Sequence, residues 1–291
     1  MSRFALVFTL VLPLLFTSCR KGPAAIHDDL GRAVELPLRV ERVITLAPNV
    51  TELVASIGAQ GRIIATDDFS NDPAGIERLP KVGGLEPNLE RVAALRPDLV
   101  LASTSGNSPA LAPALANLDI PLYVVKTDRV RDIPRVMRDL GRLLGAADAE
   151  RRADDFLVRL GRARRQRSPP PRVLFLVWAD PLYVAGRSTY MDDLFGYAGA
   201  DNGIAPGVTG WPQYSMEALI AAPPDVILFP RNAVGVERIE TLFASDRRWR
   251  ALAAVREGRY FPVDDDRFSR PGPRLAEALI DLNRILDSVS F

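Results

Sequence analysis

Residues 88–101 are NLERVAALRPDLVL, and residues 215–228 are SMEALIAAPPDVIL. The two stretches align without a gap and share a glutamate at the third position and Pro-Asp at the tenth and eleventh. Each predicts a short capped helix, a proline that ends it and a buried strand that begins at aspartate. A unit that occurs twice, far apart, predicts two similar lobes and not a solenoid. Because this junction is common in α/β proteins, coincidence is the alternative.

Short apolar runs alternate with helical patterns around the first of these stretches. The run VITL at residues 43–46 is followed by a helical pattern at residues 49–58 and by the apolar run at residues 63–65. Such alternation is typical of an α/β layer with largely parallel strands. Asn49 and Glu52 predict a capping pair at the start of the helix, and Gly58 predicts its end.

A connecting helix is predicted at residues 132–168, although Gly141 and Gly145 weaken the expectation of one unbroken helix. Its apolar positions are Val136, Leu140, Leu143, Leu144, Phe156, Leu157 and Leu160. The predicted organisation is a signal peptide with lipobox at 1–19, a tether and edge segment at 20–40, an N-terminal α/β lobe at 41–131, the connecting helix, and a C-terminal α/β lobe at 169–291.

The first residues predict secretion. Arg3 precedes an apolar run at residues 4–18 that is too short for a membrane span. Residues 15–19 (LFTSC) resemble a bacterial lipobox, in which Cys19 becomes the lipid-modified first residue of the mature protein. We therefore expect a membrane-anchored lipoprotein in the periplasm or another extracytoplasmic compartment. Loss of Cys19 with a cleaved signal peptide is the alternative.

Composition narrows the classes of function. The formal net charge is +1, so overall charge indicates no nucleic-acid partner. His27 is the only histidine, which makes a histidine-built metal or haem site hard to assemble. The sequence shows no nucleophile elbow, phosphate loop or dinucleotide fingerprint. A binding protein with no catalytic residues, no resident cofactor and no metal is therefore preferred over a secreted enzyme.

The chain resembles the class of periplasmic-binding proteins for vitamin B12, haem and ferric siderophores over nearly its whole mature length. The segments that support the resemblance are 42–53 (RVITLAPNVTEL), 88–91 (NLER), 97–100 (PDLV), 211–217 (WPQYSME) and 270–274 (RPGPR). The segment WPQ followed by S-x-E is most similar to the cobalamin-binding branch.

The resemblance implies a class III periplasmic-binding-protein-like fold, with two α/β lobes whose largely parallel sheets are joined by a long helix. It also implies a monomer that holds a large metal-chelate small molecule in the interlobe cleft and delivers it to the permease and ATPase subunits of an ABC importer. Cobalamin or a related corrinoid is the expected ligand. Haem and ferric siderophores are the alternatives within the class.

Ligand-binding residues are implied by matching positions of the family. They are Phe69, Trp178, Trp211, Asp266 and Phe268. The chain departs from the cobalamin-binding proteins at residues 83–85 (GGL) and 103–105 (STS), near which those proteins have tryptophans. The first-lobe side of the expected cleft is therefore less aromatic.

The residues themselves add a further candidate. Trp178 and Tyr183 flank residues 179–181, where a predicted strand ends, and ligands of open α/β sheets gather at the carboxyl ends of strands. Rigid aromatic faces suit a broad planar ligand. Core packing is the alternative for Trp178, whereas the glycine-rich surroundings of Trp211 favour exposure in the cleft.

Glu90 and Glu217 occupy matching positions in the two repeated stretches. The resemblance implies that each glutamate projects from its lobe towards an arginine pocket on the importer, since arginine and carboxylate pair bidentately. The alternative is that each carboxylate only offsets a helix dipole, which is worth about 0.3 to 1 kcal/mol.

Overall fold

Residues 26–231 and 239–290 are described by the computed structural model. The predicted signal peptide and lipobox at 1–19, with Cys19, and residues 20–25 of the predicted tether lie outside the described residues. Within the described ranges, no helix combines the length and the apolar character needed to cross a membrane.

The N-terminal lobe is built on a parallel sheet. A short antiparallel ribbon of β1 (Ile26–His27) and β2 (Ala33–Val34) precedes it. The elements that follow are β3 (Val43–Thr45), α1 (Pro48–Ser56), β4 (Ile63–Thr66), α2 (Leu89–Ala94), β5 (Leu99–Ser103), α3 (Leu111–Ala116) and β6 (Leu122–Val125). The four strands from β3 to β6 pair in the order β4-β3-β5-β6, all parallel.

Helix α1 begins differently from the prediction. Pro48 occupies its first turn, so the cap position falls on Ala47, whose methyl side chain cannot accept a hydrogen bond. The amide of Asn49 instead donates to the hydroxyl oxygens of Ser103 and Thr127, at 3.3 and 3.2 Å. The predicted capping pair is therefore wrong, although the helix does end just before Gly58, which has the left-handed φ of 84°.

Two helices join the lobes, where a single long one was expected. Helix α4 (Asp132–Leu144) ends at Gly145, whose φ of 60° turns the chain, and α5 (Ala149–Ala163) packs back against it. A Cβ at Gly141 would lie only 2.2 Å from the Cβ of Ala149. The absence of a side chain at Gly141 is thus what allows the two helices to approach so closely.

The C-terminal lobe contains a second, mostly parallel sheet. Its elements are β7 (Arg172–Ala179), β8 (Leu182–Val184), α6 (Tyr190–Tyr197), β9 (Asp201–Asn202), α7 (Met216–Ala221), β10 (Val226–Pro230), α8 (Ile239–Ser245), α9 (Arg247–Arg250), α10 (Ala253–Arg256), β11 (Tyr260–Val263), α11 (Asp265–Phe268) and α12 (Leu275–Asp287). The sheet order is β11-β10-β7-β8, and β9 also pairs with β7. Among these described strands, only the pairing of β7 with β8 is antiparallel.

The repeated sequence stretches form the same unit in each lobe, as predicted. Asn88 caps α2 by accepting from the backbone N–H of Arg91, and Ser215 caps α7 by accepting from that of Ala218. Strands β5 and β10 then follow the prolines and pair with β3 and β7, respectively. Each lobe therefore contains a capped helix followed by a central buried strand.

An arginine at the start of the first strand of each lobe binds this unit in the same way. The backbone N–H of Arg42 donates to Asp98, and its guanidinium donates to the carbonyls of Leu95 and Arg96. In the second lobe, the backbone N–H of Arg172 donates to Asp225, and its guanidinium donates to the carbonyls of residues 222 and 223. These bonds satisfy carbonyls at the end of each helix that lack partners within it.

The central strands are buried on both faces, and alternate residues belong to different apolar clusters. Leu99 and Leu101 of β5 join a cluster that also contains Phe175 of β7, whereas Val100 packs towards α2 and α3, and Leu174 packs towards α7 and α8. The cluster containing Phe175 includes residues of both sheets and of α1, α4, α5, α6 and α12. One of these apolar clusters therefore extends through both lobes and forms a core that they share.

Candidate functional site

A cavity of about 480 Å³ lies between the two lobes. Its lining residues come from loops after β5 and β6 in the first lobe, from β7, β10, the start of α6 and loops of the second lobe, and from the segment between α11 and α12. They are Thr104, Ser105, Asp128, Phe175, Val177, Ser188, Thr189, Tyr190, Gly210, Trp211, Pro230, Ser269 and Pro271. The lining is thus rich in hydroxyl groups, with an aromatic and apolar wall on the second-lobe side.

Trp211 is the predicted site residue that lines this cavity. It lies between β9 and α7, and 42% of its surface is exposed. Its ring centroid is 5.2 Å from that of Tyr190, at the start of α6. The Tyr190 hydroxyl donates to the carbonyl oxygen of Phe268 at 3.1 Å, and burial raises its pKa, so the phenol stays protonated. Trp211 therefore offers an open aromatic face supported by a fixed tyrosine.

Phe69 and Asp266 lie outside the cavity lining but meet at Arg270. Phe69 is 56% exposed, and its carbonyl accepts from Arg270 at 3.3 Å, while Asp266 forms an ion pair with the same guanidinium at 2.6 Å. The Phe69 ring lies against the backbone of Gly84, where a Cβ would be 3.2 Å from ring atom Cε2. The glycine in the position that departs from the cobalamin-binding branch thus makes room for this ring.

Trp178 and Tyr183 form a separate exposed pair. They are opposite each other in the antiparallel pairing of β7 with β8. The indole N–H of Trp178 donates to the carbonyl of Asp180 at 2.8 Å, which fixes the ring at the β7–β8 turn. Neither side chain lines the cavity, although Val177, next to Trp178, does.

Phe268 was expected to line the cleft, but the structure buries it in the core. Phe268 is only 1% exposed, and its ring stacks on Phe175 with centroids 6.5 Å apart. The ring belongs to the apolar core shared by the lobes. Sequence position alone could not separate the two roles, because the partly exposed Asp266 and the buried Phe268 lie two residues apart on the same short helix.

A buried ion-pair cluster ties the segment after α11 to the N-terminal lobe. Glu52 of α1 is 3% exposed and accepts from Arg274 at 2.6 and 3.0 Å and from Arg270 at 3.0 Å. Burial raises the pKa of Glu52, and the hydrogen bonds and charges of Arg274 and Arg270 oppose that rise. Since Ser269 and Pro271 line the cavity, this cluster positions one of its walls.

Several lining residues were missed by the sequence analysis. Thr104 follows β5, Asp128 lies shortly after β6, and Ser188 and Thr189 lie shortly after β8. The hydroxyl of Thr104 is buried without a hydrogen-bond partner among the described residues. Thr104 and Asp128 could have been predicted, because ligands of open α/β sheets bind at the carboxyl ends of the strands. The prediction used this tendency only for the second lobe.

Glu90 and Glu217 lie in the first turns of α2 and α7, and both are exposed. Neither lines the cavity. Within the described residues, neither makes an ion pair within 4 Å, although Arg248 interacts with Glu217 at longer range. The two carboxylates thus occupy equivalent surface positions, one on each lobe.

Metal-ligating side chains do not gather in the described part of the chain. No group of three or more histidine, cysteine, aspartate or glutamate side chains lies close enough there to hold a metal ion. Asp264, the first of three consecutive aspartates, instead caps α11 by accepting from the backbone N–H of Arg267.

Comparison with known proteins assigns the family. The profile described as Periplasmic binding protein matches residues 43–266. A vitamin B12-binding protein of Pectobacterium carotovorum is 32% identical over 81% of this chain and 84% of its own length. An uncharacterized ABC transporter substrate-binding lipoprotein of Bacillus subtilis, YvrC, is 27% identical over 89% of this chain and 84% of its own length.

A solved structure is similar over both lobes. The periplasmic haem-binding protein RhuT from Roseiflexus sp. RS-1, in apo form, superposes with a TM-score of 0.76 at 26% identity, covering 84% of this chain and 97% of that chain. The fold expected from the sequence, two α/β lobes of the class III type, is confirmed by this likeness. The chain therefore belongs to the family of periplasmic binding proteins.

Proposed function

We propose that the protein is an extracytoplasmic, lipid-anchored solute-binding protein that delivers cobalamin or a related corrinoid to an ABC importer. The observation that supports this most directly is the interlobe cavity, to which Trp211 of the second lobe contributes an aromatic face and Ser105 of the first lobe an exposed hydroxyl group. An aromatic face binds the plane of a large ring, and hydroxyl groups bind polar substituents at its edge.

The chemistry of the cavity favours a corrinoid over haem. RhuT is described as haem-binding and the Pectobacterium relative as vitamin B12-binding, so both ligands occur among similar proteins. Haem iron takes its axial ligand from the protein, commonly histidine, cysteine, methionine or tyrosine. Of these, the described residues that line the cavity include only Tyr190, whose hydroxyl is buried and already bonded to Phe268. Cobalamin brings its own lower base and needs no such ligand.

Haem and ferric siderophores remain the second candidate ligands, because the fold and cavity are common to the class. Calorimetric titration of the purified protein with cobalamin, haem and a ferric siderophore separates the three. We expect the tightest binding with cobalamin, together with quenching of tryptophan fluorescence through Trp211. Tight binding of haem or of the siderophore without a response to cobalamin would contradict the corrinoid assignment.

Stoichiometric recovery of unaltered ligand distinguishes a binding protein from a secreted enzyme. After prolonged incubation and release by denaturation, the corrinoid should be recovered with its absorption spectrum and mass unchanged. Conversion of the ligand into another species would favour the enzyme. Bound ligand that saturates at one molecule per chain, with elution of the protein as a monomer, is the expected result.

The lipid anchor is proposed at Cys19. The apolar run at 4–18 and the small residues that precede Cys19 support it, as does the description of YvrC as a lipoprotein. Metabolic labelling with a fatty-acid probe should mark the wild-type protein and not the Cys19→Ser variant. Release of both proteins in soluble, unlabelled form would contradict lipidation.

Docking to the importer is proposed through Glu90 and Glu217. Their equivalent positions at the starts of α2 and α7 suit a partner with two matching halves, such as paired permease subunits. Both side chains are exposed and lie away from the cavity lining, so docking and ligand binding use different surfaces. Arginine pockets are the expected complement, because arginine forms bidentate bonds with carboxylate.

A further inference from the structure

The cavity between the lobes has an unusual charge pattern. Asp128, in the loop after β6, is the only charged side chain among the lining residues in the part of the chain that the structure describes, and none of those described residues is a lysine or arginine. Asp128 is exposed, and its only ion pair within the described residues is with Lys126 at 3.2 Å. Its second carboxylate oxygen is thus available to accept a hydrogen bond from a ligand.

Cations that flank the lining residues in the chain are largely occupied by carboxylates. Arg129, next to Asp128, donates to Asp193 at 2.9 Å, and Arg187, next to Ser188, pairs with Asp192 at 3.5 Å. Arg270, between Ser269 and Pro271, is bound by two carboxylates, as described above.

One flanking cation has no carboxylate partner among the described residues. Arg231, next to Pro230, is exposed but does not line the cavity. A ligand carboxylate inside the cavity would therefore meet no free lysine or arginine among the lining residues of ranges 26–231 and 239–290, and it would face Asp128.

We propose that Asp128 is a specificity-determining residue that selects ligands whose periphery is made of neutral amides over ligands that bear carboxylates. An amide N–H donates a charge-assisted hydrogen bond to the Asp128 carboxylate, whereas a ligand carboxylate is repelled by it. Corrinoids have amide side chains around the ring, and haem has two propionates. The inference rests on the proposed function and assigns part of its selectivity to one residue of the first lobe.

The test uses cobalamin and its peripheral monocarboxylic acids, in which one amide of the same ring is replaced by a carboxylate. Affinities are measured by calorimetry for the wild type, Asp128→Asn and Asp128→Lys. We expect the wild type to bind at least one monocarboxylate about tenfold more weakly than cobalamin, from the repulsion of two nearby charges. Asp128→Asn should reduce that ratio, and Asp128→Lys should reverse it.

Asp155→Asn and Asp155→Lys are the matched controls, because Asp155 is an exposed aspartate of α5 that pairs with Arg151 and lies outside the cavity lining. Neither control should alter the ratio. An equal ratio in the wild type and both Asp128 variants, with cobalamin still bound, would overturn the role of Asp128 and leave the proposed function intact. Absence of cobalamin binding by the wild type would overturn the proposed function, and the selectivity inference with it.

Discussion

At the scale of single residues, Trp211 and Trp178 differ in the surface that each presents. Trp211 lines the interlobe cavity, and Trp178 lies beside it at the β7–β8 turn. Trp211→Ala should weaken ligand binding by about 1 to 3 kcal/mol, because it removes the exposed aromatic face. Trp178→Ala should change it by less than about 0.5 kcal/mol. Calorimetry measures the ligand affinity of both variants. Equal losses of affinity would mean that the ligand-binding site extends to the β7–β8 turn.

The buried carboxylate of Glu52 holds residues 269–271, which form one wall of the interlobe cavity, through its bonds to Arg270 and Arg274. Glu52→Gln leaves Arg274 without its bidentate partner, and loss of one member of a buried pair costs about 3 to 5 kcal/mol. We expect the free energy of unfolding to fall by about 3 kcal/mol, since Arg270 keeps Asp266. Glu150→Gln, which breaks the exposed pair with Arg138, should cost less than about 1 kcal/mol. Denaturant titration compares them, and equal losses would remove the special role of Glu52.

The limits of sequence analysis are clear at these residues. Asn49 and Glu52 fit a local capping pattern, yet their partners are Ser103, Thr127 and two arginines more than 200 residues away in the chain. A local sequence pattern cannot predict contacts between residues so far apart in the chain. Trp211 was predicted from the family resemblance, and its glycine-rich surroundings also disfavour a core position. Phe268 was misplaced because burial depends on packing with Phe175, which no spacing rule encodes.

At the scale of elements, the contact between α4 and α5 depends on the glycine at position 141 and not on the one at position 161. Gly141 faces Ala149 with no room for a Cβ, whereas a Cβ at Gly161 of α5 would meet nothing within 4 Å. Gly141→Ala should destabilise the protein by about 1 to 3 kcal/mol through overpacking. Gly161→Ala should stabilise it by up to about 1 kcal/mol, because alanine favours the helix.

Thermal unfolding of the two glycine variants provides the measurement, with circular dichroism to check that helix content is retained. A stabilising effect of both substitutions would mean that α4 and α5 do not touch at this point.

The strands and the repeated capped helices were predictable, because burial on both faces gives continuous apolar runs. The sequence only weakly indicated that the connecting helix ends at Gly145, since a glycine within a helical pattern is also compatible with an unbroken helix.

At the scale of the whole molecule, the shared core and the Glu52 cluster oppose large movements of one lobe relative to the other. Residues of both sheets pack against the same helices. Moving the lobes far apart would therefore expose buried apolar surface to water, which costs about 25 cal/mol of free energy per Å². We therefore expect ligand binding to be accompanied by small displacements of side chains and loops. The two lobes can then present their outer surfaces to a partner at a nearly constant separation.

Docking is best tested by reversing both surface charges. Glu90→Arg and Glu217→Arg together should abolish uptake in cells, because like charges then oppose the proposed arginine pockets, while ligand affinity in solution stays near the wild-type value. Each single variant should retain partial uptake through the other lobe. Full uptake by the double variant, or a matching loss of solution affinity, would leave the two carboxylates as helix-start residues only.

The position of α12 in the chain affects the order in which the protein can be made. Leu279 and Leu282 of this last described helix are fully buried in the core that both lobes share, and α12 packs on α5, which lies more than 100 residues earlier. Contacts so distant in sequence form late. A growing chain therefore cannot close this core until α12 has left the ribosome. Such a delay suits a secreted protein, because a chain with an open core can still be threaded through a translocation pore.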